Sequence, residues 1–500
     1  MAKKFYITTP IYYVNASPHI GHSYTCITAD TLARCRRRDL GKDNVHFLTG
    51  TDEHGQKIQK AAEEAKLTPL EFADIVVAQF KQLWGKLNIS YDDFIRTTES
   101  RHTRTVEKAL EILYKKGDIY QDKYTGWYCT PCETFWIEAQ VENQLCPDCH
   151  RQVEKISEVN FFLKISAYQD WLIEHIKKNS CFILPEIRRN EVLSFLSLNK
   201  LSDLCISRPK ERLSWGIPLP FSPGHVAYVW FDALVNYISA VGEFDAGGKY
   251  NSKWWDAETE VVHLIGKDIL RQHAVYWPII LHALGIRLPD TVFAHGWWMV
   301  GDTKMSKSRG NAVSPLEVAE EFGIDAYRYF LLRDVPFGMD GNFSEEALIK
   351  RFNADLANDI GNLVYRALTM IEKYFQGAIP LPGRLNQRGE QIAKEIKQLS
   401  GETNAALSAA GDFNFSFALE KTWELINMAN KYVEETKPWN LAKESKSDEL
   451  KAFIRLLVDA IREAGSQISF FMPQTAESIQ QQLGEAQIKK GQPLFPRIDK

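Results

Sequence analysis

In Thr8-Thr9-Pro10-Ile11-Tyr12-Tyr13-Val14-Asn15-Ala16-Ser17-Pro18-His19-Ile20-Gly21-His22 a strand gives way to a helix, and the rest of the chain is organised around that change. Phe5, Ile7 and Ile11 are apolar and β-prone, with Thr and Tyr between them, so the segment opens as a strand. Pro10 and the cluster from Asn15 to Pro18 end it. Beyond His19, Ile20, Tyr24, Ile27, Leu32 and Cys35 recur near the helical period until Gly41, which predicts a helix. A helix N-terminus at the end of a strand is an anion site, because free N–H groups and the helix dipole meet there. His19 and His22 stand three apart and so share one face of the first turn. Their imidazoles can donate to phosphate, and Gly21 leaves room for a flat base to approach. Taken alone, His-x-Gly-His fits a structural pair as well as a ligand pair.

A chain of 500 residues has room for about three domains. With 45% hydrophobic and 25% charged residues the balance is that of an ordinary globular protein. A net charge of −4 excludes a generic polyanion binder, so any nucleic acid must be met by local patches and shape. Arg34, Arg36, Arg37 and Arg38 form one such patch, or else a solvated helix end. No apolar run approaches the ~18 residues of a membrane span. Lys3 and Lys4 are followed by no signal-peptide core, only by Thr8, Thr9 and Pro10. Of 8 cysteines, four fall in two Cys-x-x-Cys pairs, while Cys26, Cys35, Cys181 and Cys205 read as single buried thiols. That usage predicts a reducing compartment.

Residues 1–115 alternate strand and helix. The strand from Asn44 to Thr49 runs into Gly50-Thr51-Asp52-Glu53-His54-Gly55, and helices follow through Ile58–Ala65 and Pro69–Trp84. This βαβ order predicts a doubly wound parallel sheet, whose ligands lie beyond the carboxyl ends of its strands. Residues 116–225 read as an insertion rich in aromatics and cysteines. Cys129-x-x-Cys132 and Cys146-x-x-Cys149 are separated by thirteen residues and contain the turn formers Pro131, Pro147 and Asp148. Four thiolates on two tight knuckles suit one structural tetrahedral zinc; unliganded thiols or disulfides are the alternative. The parallel sheet is expected to resume in 226–295. There Val226 to Ala233 leads into a helix, and the strand Val261 to Ile265 ends in Gly266-Lys267-Asp268. A helix with His273 and Trp277 comes next, and then a strand from Thr291 to His295. In 296–343, Lys304-Met305-Ser306-Lys307-Ser308 sits in a Gly-rich polar loop, where two ammonium groups suit a polyphosphate that gains charge during reaction. From 344 to 500 strand signals vanish. Leu348, Phe352, Leu356, Ile360, Leu363, Ala367 and Met370 predict one amphipathic helix that opens a helical bundle.

His-Ile-Gly-His followed far downstream by Lys-Met-Ser-Lys-Ser resembles the class I aminoacyl-tRNA synthetases. Within that class the wording is similar to the methionyl-tRNA synthetase family over nearly the whole chain. The resemblance implies a Rossmann-type catalytic domain, a zinc-knuckle connective insertion, a stem-contact region in 296–343 and an all-α anticodon-binding bundle. It implies activation of L-methionine by ATP with Mg2+ and transfer to the 3′ adenosine of initiator and elongator tRNA(Met). His19, His22, Lys304 and Lys307 take the catalytic roles by the same resemblance, with Lys307 foremost. Gly21, Gly266 and Asp268 join them around ATP. Asp52 holds the substrate ammonium. Ile11, Tyr13, Trp230, Ala233, Leu234, Tyr237, Ile269 and His273 line the thioether pocket, although Leu234 stands where some relatives have proline. The Tyr237 hydroxyl and the Ile11 backbone N–H would supply donors, with His273 neutral. Cys129, Cys132, Cys146 and Cys149 hold one structural zinc. Asn362 and Arg366, in Asn-Leu-x-x-Arg, and Trp439 after Lys437-Pro438 match anticodon-reading positions. Bland readings stand beside several of these. Asp52 and Asp268 can cap helices, and Trp230, Ile269 and Trp439 can be core residues.

A monomeric, cytoplasmic enzyme with no membrane partner is expected, its bundle ending the chain with no appended dimerisation barrel. The short insertion disfavours the isoleucine, leucine and valine enzymes. A missing methyl changes binding by only ~1–3 kcal/mol, so homocysteine should sometimes be activated. A tRNA-independent nucleotidyltransferase of the same fold, such as a pantothenate synthetase, has no use for the helical C-terminal third. A catalytically dead tRNA-binding protein has no use for His19, His22 and Lys307.

Overall fold

The structure, a computed structural model, describes residues 3–15, 17–130, 134–136, 138, 141–147, 149–300, 303–304 and 313–499. The chain forms two compact units. One comprises Met1–Pro18, Arg36–Gly85 and Ile89–Ala294, the other His19–Cys35, Lys86–Asn88 and His295–Lys500. Among the described residues no helix is long and apolar enough to cross a membrane.

The first unit is built on a six-stranded sheet. Its order is Asp93–Arg96, Val45–Asp52, Lys4–Tyr13, Thr259–Gly266, Thr291–His295, Ile183–Leu184. Lys4–Tyr13 pairs in parallel with both neighbours, so strand order runs outward from it in both directions and a switch point lies beside it. Phe5, Tyr6, Ile7, Val261, Val262, Leu264 and Ile265 are all buried, as a sheet covered on both faces requires. In Val45–Asp52 only glycine fits at position 50, since a Cβ there would lie 2.1 Å from the Ile95 carbonyl oxygen.

Three details depart from the sequence expectation. Val226 to Ala233 is not a strand of this sheet. Ser222–Ala227 pairs antiparallel with Ser207–Pro209, and a helix, Val229–Ser239, begins at once. Every residue of that helix but Trp230 is buried, and an apolar run of that kind cannot be told from a buried strand by periodicity. Ile183–Leu184, parallel to Thr291–His295, is too short to show a period. The helix expected around His273 is broken into a 3₁₀ turn (Lys267–Ile269), a π turn (Gln272–Tyr276) and an α-helix (Trp277–Ala283). Pro278 accounts for the break, because it cannot donate to the preceding turn and its ring crowds the carbonyl four residues back. In the cysteine-bearing stretch, Ile119–Cys129 pairs antiparallel with Glu154–Leu163.

In the second unit, Trp298–Val300 pairs with Thr303–Lys304 and with Gly341–Asn342. Ser314 caps Pro315–Phe322, its Oγ accepting the Glu317 N–H at 3.4 Å, and Ser344 caps Glu345–Arg351 in the same way. The predicted long helix is instead Glu345–Arg351, a π-helical stretch Phe352–Gly361, then Asn362–Phe375. Leu348, Phe352, Leu356 and Ile360 repeat every four residues and are all buried. A strict four-residue repeat drifts off the face of an α-helix, and the wider π turn keeps it aligned. Gln387–Ala406, Phe415–Thr436, Ser447–Ile468 and Pro473–Leu483 complete the helical part.

Arg328 is the largest fully buried cation here. Its Nη2 lies 2.6 Å from Asp30 Oδ2, while Nε, Nη2 and Nη1 donate to the carbonyls of Phe471, Phe470 and Leu87. Arg34 Nε reaches the same Asp30 oxygen at 2.7 Å. The other members of the arginine run are engaged as well. Arg37 binds Ser90 and Asp92, Arg38 binds Asp39, and Arg36 lies over the Phe5 ring and 3.8 Å from Glu260. The run therefore serves the fold around its helix end. Cys181, expected to be buried, is exposed.

Candidate active site

Strand ends and the turns after them carry the candidate residues of the first unit. Tyr13 and Asp52 are register partners at the end of their strands, and the Val14 N–H donates to the Asp52 carbonyl at 3.2 Å. Ile11 and Ile269 pack half-buried against the cluster that contains Leu234 and Tyr237. Ala233 is buried on the same helix as Leu234. Trp230 lies instead with a separate group, Tyr128, Ile156 and Tyr228. Gly266 closes its strand, and Asp268 is exposed in the 3₁₀ turn that follows.

His273 sits on the π turn, a feature often found at functional sites. Its Nδ1 is 2.9 Å from the Ile269 carbonyl, which only an N–H can satisfy, so Nε2 is left to accept from the Tyr237 hydroxyl at 2.7 Å. That tautomer is neutral. Burial pushes His273 down to about 4. Burial likewise raises the Tyr237 phenol and holds His263, stacked on Tyr237 at 4.2 Å, well below its usual range. The Tyr237 proton, expected to face the thioether, is thus given to His273.

Sequence reasoning passed over two polar groups. Asp232, fully buried in the middle of an apolar helix, accepts from His54 Nδ1 at 2.6 Å and from His102 Nε2 at 2.7 Å. Burial pushes its carboxyl up, but the charges and hydrogen bonds of the two imidazoles more than reverse this, to about 2. Buried Arg208 pairs with Glu158 at 2.9 Å and lies 3.9 Å over the Tyr128 ring. It lines one pocket with Gln56, Arg212, Tyr128 and Tyr228. For Asp232 the available signal was a charge set among apolar and aromatic neighbours; Arg208, beside Pro209, Lys210, Glu211 and Arg212, carried no such signal.

The cysteine stretch can hold a metal. The Sγ atoms of Cys129, Cys146 and Cys149 lie within 4.8 Å of one another. Cys129 and Cys149 are 3.5 Å apart, far longer than a disulfide and close to the ~3.8 Å that tetrahedral zinc imposes on its sulfurs. Cys132 lies outside the described residues.

In the second unit His19 and His22 stack, with ring centroids 3.9 Å apart. The Gly21 N–H donates to His19 Nδ1 at 3.1 Å and the His19 N–H to His22 Nδ1 at 3.2 Å. Each imidazole therefore keeps its proton on Nε2, a donor turned away from its own backbone. A Cβ at position 21 would meet His19 Cε1 at 3.0 Å, so the glycine also makes room for the ring. Lys304 belongs to the Thr303–Lys304 strand, and Lys307 lies outside the described residues. Asn362 is exposed at the start of its helix. Arg366, one turn on, pairs with Glu434 at 2.7 Å. Trp439, 38% exposed on the short helix Pro438–Lys443, is no core residue.

A family model described as tRNA synthetases class I (M) matches residues 5–160 and 152–368, so fold and site define a class I tRNA synthetase. The chain is 47% identical over 518 residues to the methionine–tRNA ligase of Caldanaerobacter subterraneus subsp. tengcongensis, covering 100% of this chain and 80% of that protein. It is 48% identical over 516 residues to that of Clostridium tetani, covering 99% and 79%. A solved structure of Mycobacterium tuberculosis methionyl-tRNA synthetase in complex with methionyl-adenylate superposes with a TM-score of 0.92 at 38% identity, over 99% of this chain and 100% of that one. The chain belongs to the methionine–tRNA ligase family.

Proposed function

We infer that this chain is a ligase that activates L-methionine with ATP and transfers the methionyl group to the 3′ adenosine of tRNA(Met). Identity of 47–48% to methionine–tRNA ligases over essentially all of this chain and about four fifths of theirs carries that reading. The methionine carboxylate attacks the α-phosphorus of ATP, presented as its Mg2+ complex, and pyrophosphate leaves. A ribose hydroxyl of the terminal adenosine then takes the acyl group. Neither step needs a protein nucleophile, so orientation and charge stabilisation supply the rate.

We assign the His19 and His22 Nε2–H groups to the phosphates, a role their shared tautomer suits. Lys304 and Lys307 follow the charge onto pyrophosphate; one ammonium ~4 Å from a phosphate oxygen gains about 4 kcal/mol at an effective dielectric of 20. Gly266 and Asp268 take the ribose, and Asp52 the ammonium. Ile11, Tyr13, Trp230, Ala233, Leu234, Tyr237, Ile269 and His273 receive the side chain. A neutral His273 suits a thioether, which offers no charge to pair. Cys129, Cys146 and Cys149, with Cys132, would hold one zinc, which supplies cross-linking and no chemistry of transfer. Asn362, Arg366 and Trp439 would read the anticodon of initiator and elongator tRNA in the cytoplasm.

ATP–pyrophosphate exchange across a panel of amino acids tests this. Methionine should support exchange, with homocysteine well behind. Exchange driven by another amino acid and not by methionine would overturn the reading.

A further inference from the structure

Resting on the assignment of Asp52 and of the 229–239 helix to the methionine site, we propose that Asp232 is a positioning residue that sets the spacing between the two halves of that site. One half is the ammonium-binding end of Val45–Asp52, and the other is the helix that presents the side-chain pocket.

The geometry is specific. His54 lies two residues beyond Asp52, and its Nδ1 meets one oxygen of Asp232. His102, on the helix Ser100–Lys116, meets the other oxygen through Nε2. Its Nδ1 reaches Ser239 Oγ at 2.8 Å, at the far end of the helix that carries Asp232. The pocket-forming helix is thus fastened at two points, and Trp230, Ala233, Leu234 and Tyr237 are carried between or beside them. The backbone around His54 is held in turn. The Glu53 carbonyl accepts from Trp215 Nε1 at 2.5 Å, and the Gly55 N–H donates to the Trp215 carbonyl. Asp232 and His102 are fully buried, and Ser239 and His54 nearly so. No described contact brings Asp232 to a candidate substrate-binding side chain, so it acts through the segments it joins.

A carboxylate is required because it accepts on both sides. Asn at this position offers one acceptor and one NH2. Either one imidazole N–H then faces a donor, or that ring moves its proton to its other nitrogen and accepts; both ways a charge-assisted bond is lost, and the strand end and the helix are held less firmly. The ammonium and thioether contacts could no longer be made together. Affinity for methionine should suffer, while ATP, held elsewhere by this reading, should not.

The test is steady-state ATP–pyrophosphate exchange with the full chain, comparing wild type, Asp232→Asn and His54→Gln. KM for methionine should rise about tenfold in Asp232→Asn, with KM for ATP and kcat moved less than about threefold. A purely structural role would lower kcat by the misfolded fraction and leave both KM values alone, and that result overturns the proposal. If Asp232→Asn does not fold by circular dichroism, His54→Gln decides. The same split in KM supports the proposal and unchanged KM for methionine overturns it. A wild-type chain that exchanges no methionine overturns the functional reading and this inference with it. A wild type that does, beside variants with unaltered KM, sinks the inference alone.

Discussion

Arg328 meets Asp30 at 2.6 Å with neither side chain reaching solvent, and three backbone carbonyls complete the guanidinium's shell. Two charges taken out of water attract strongly but lose their hydration, so such a pair is worth little against an apolar pair of equal volume. Half of it is another matter. Arg328→Ala should cost about 3–5 kcal/mol in urea unfolding, because Asp30 and the carbonyls of Phe470 and Phe471 stay buried. Arg34, still bound to Asp30, softens the loss. A loss below about 1 kcal/mol would show that the site refills with water.

Stability should fall as pH drops through the range set by His273. Burial holds its folded value at about 4, below the ordinary 6.5. As pH falls below 6.5 the unfolded chain takes up this proton and the folded chain does not, so stability is lost from about 6.5 down to about 4. Above that window the contribution is complete and flat. The full effect is about 3 kcal/mol. His263, depressed by the same burial, acts with the same sign. Urea unfolding at pH 7.5 and 5 measures the slope, and His273→Gln should reduce it. An unchanged slope in that variant would place the proton uptake elsewhere.

Metal analysis of the purified chain should give about one zinc per molecule. Cys149→Ser should lower zinc content about tenfold and make the 119–163 region sensitive to protease. Methionine-dependent exchange should persist at a reduced level, since three thiolates and a fourth in Cys132 leave no open position for substrate. Full occupancy in Cys149→Ser would exclude that thiol as a ligand.

Trp439→Ala should separate the two half-reactions. One base stacked on an exposed tryptophan is worth ~1–3 kcal/mol, so charging at limiting tRNA should fall about 5- to 150-fold. Pyrophosphate exchange without tRNA should not change. Equal loss in both assays would make Trp439 a structural residue.

How much could be read beforehand follows from where each residue sits. Asp52 and the Gly266–Asp268 turn stand at strand ends and His19 and His22 at a helix start, where glycine and proline punctuate the sequence and the βαβ order shows itself. The inside of the Val229–Ser239 helix was not legible, since all but one of its positions are buried, and its few polar residues mark no solvent face. Asp232, His54 and His102 come from three segments, and only the folded chain puts their nitrogen and oxygen atoms in register. The two π turns were hidden too. A four-residue repeat looks helical until its drift is counted, and Pro278 marks a boundary without saying what precedes it.

The Asp30–Arg328 pair spans 298 residues of chain. A ribosome adding roughly 5–20 residues per second would therefore make the carboxylate between a quarter of a minute and a minute before its guanidinium exists. The carbonyls of Phe470 and Phe471 come later still. Through that interval the helix Ile20–Leu40 has no finished seat, and a chain released early carries a carboxylate destined for the interior with only Arg34 to meet it. Quality control during synthesis, more than the chemistry of the finished enzyme, is where an Arg328 substitution should first be felt.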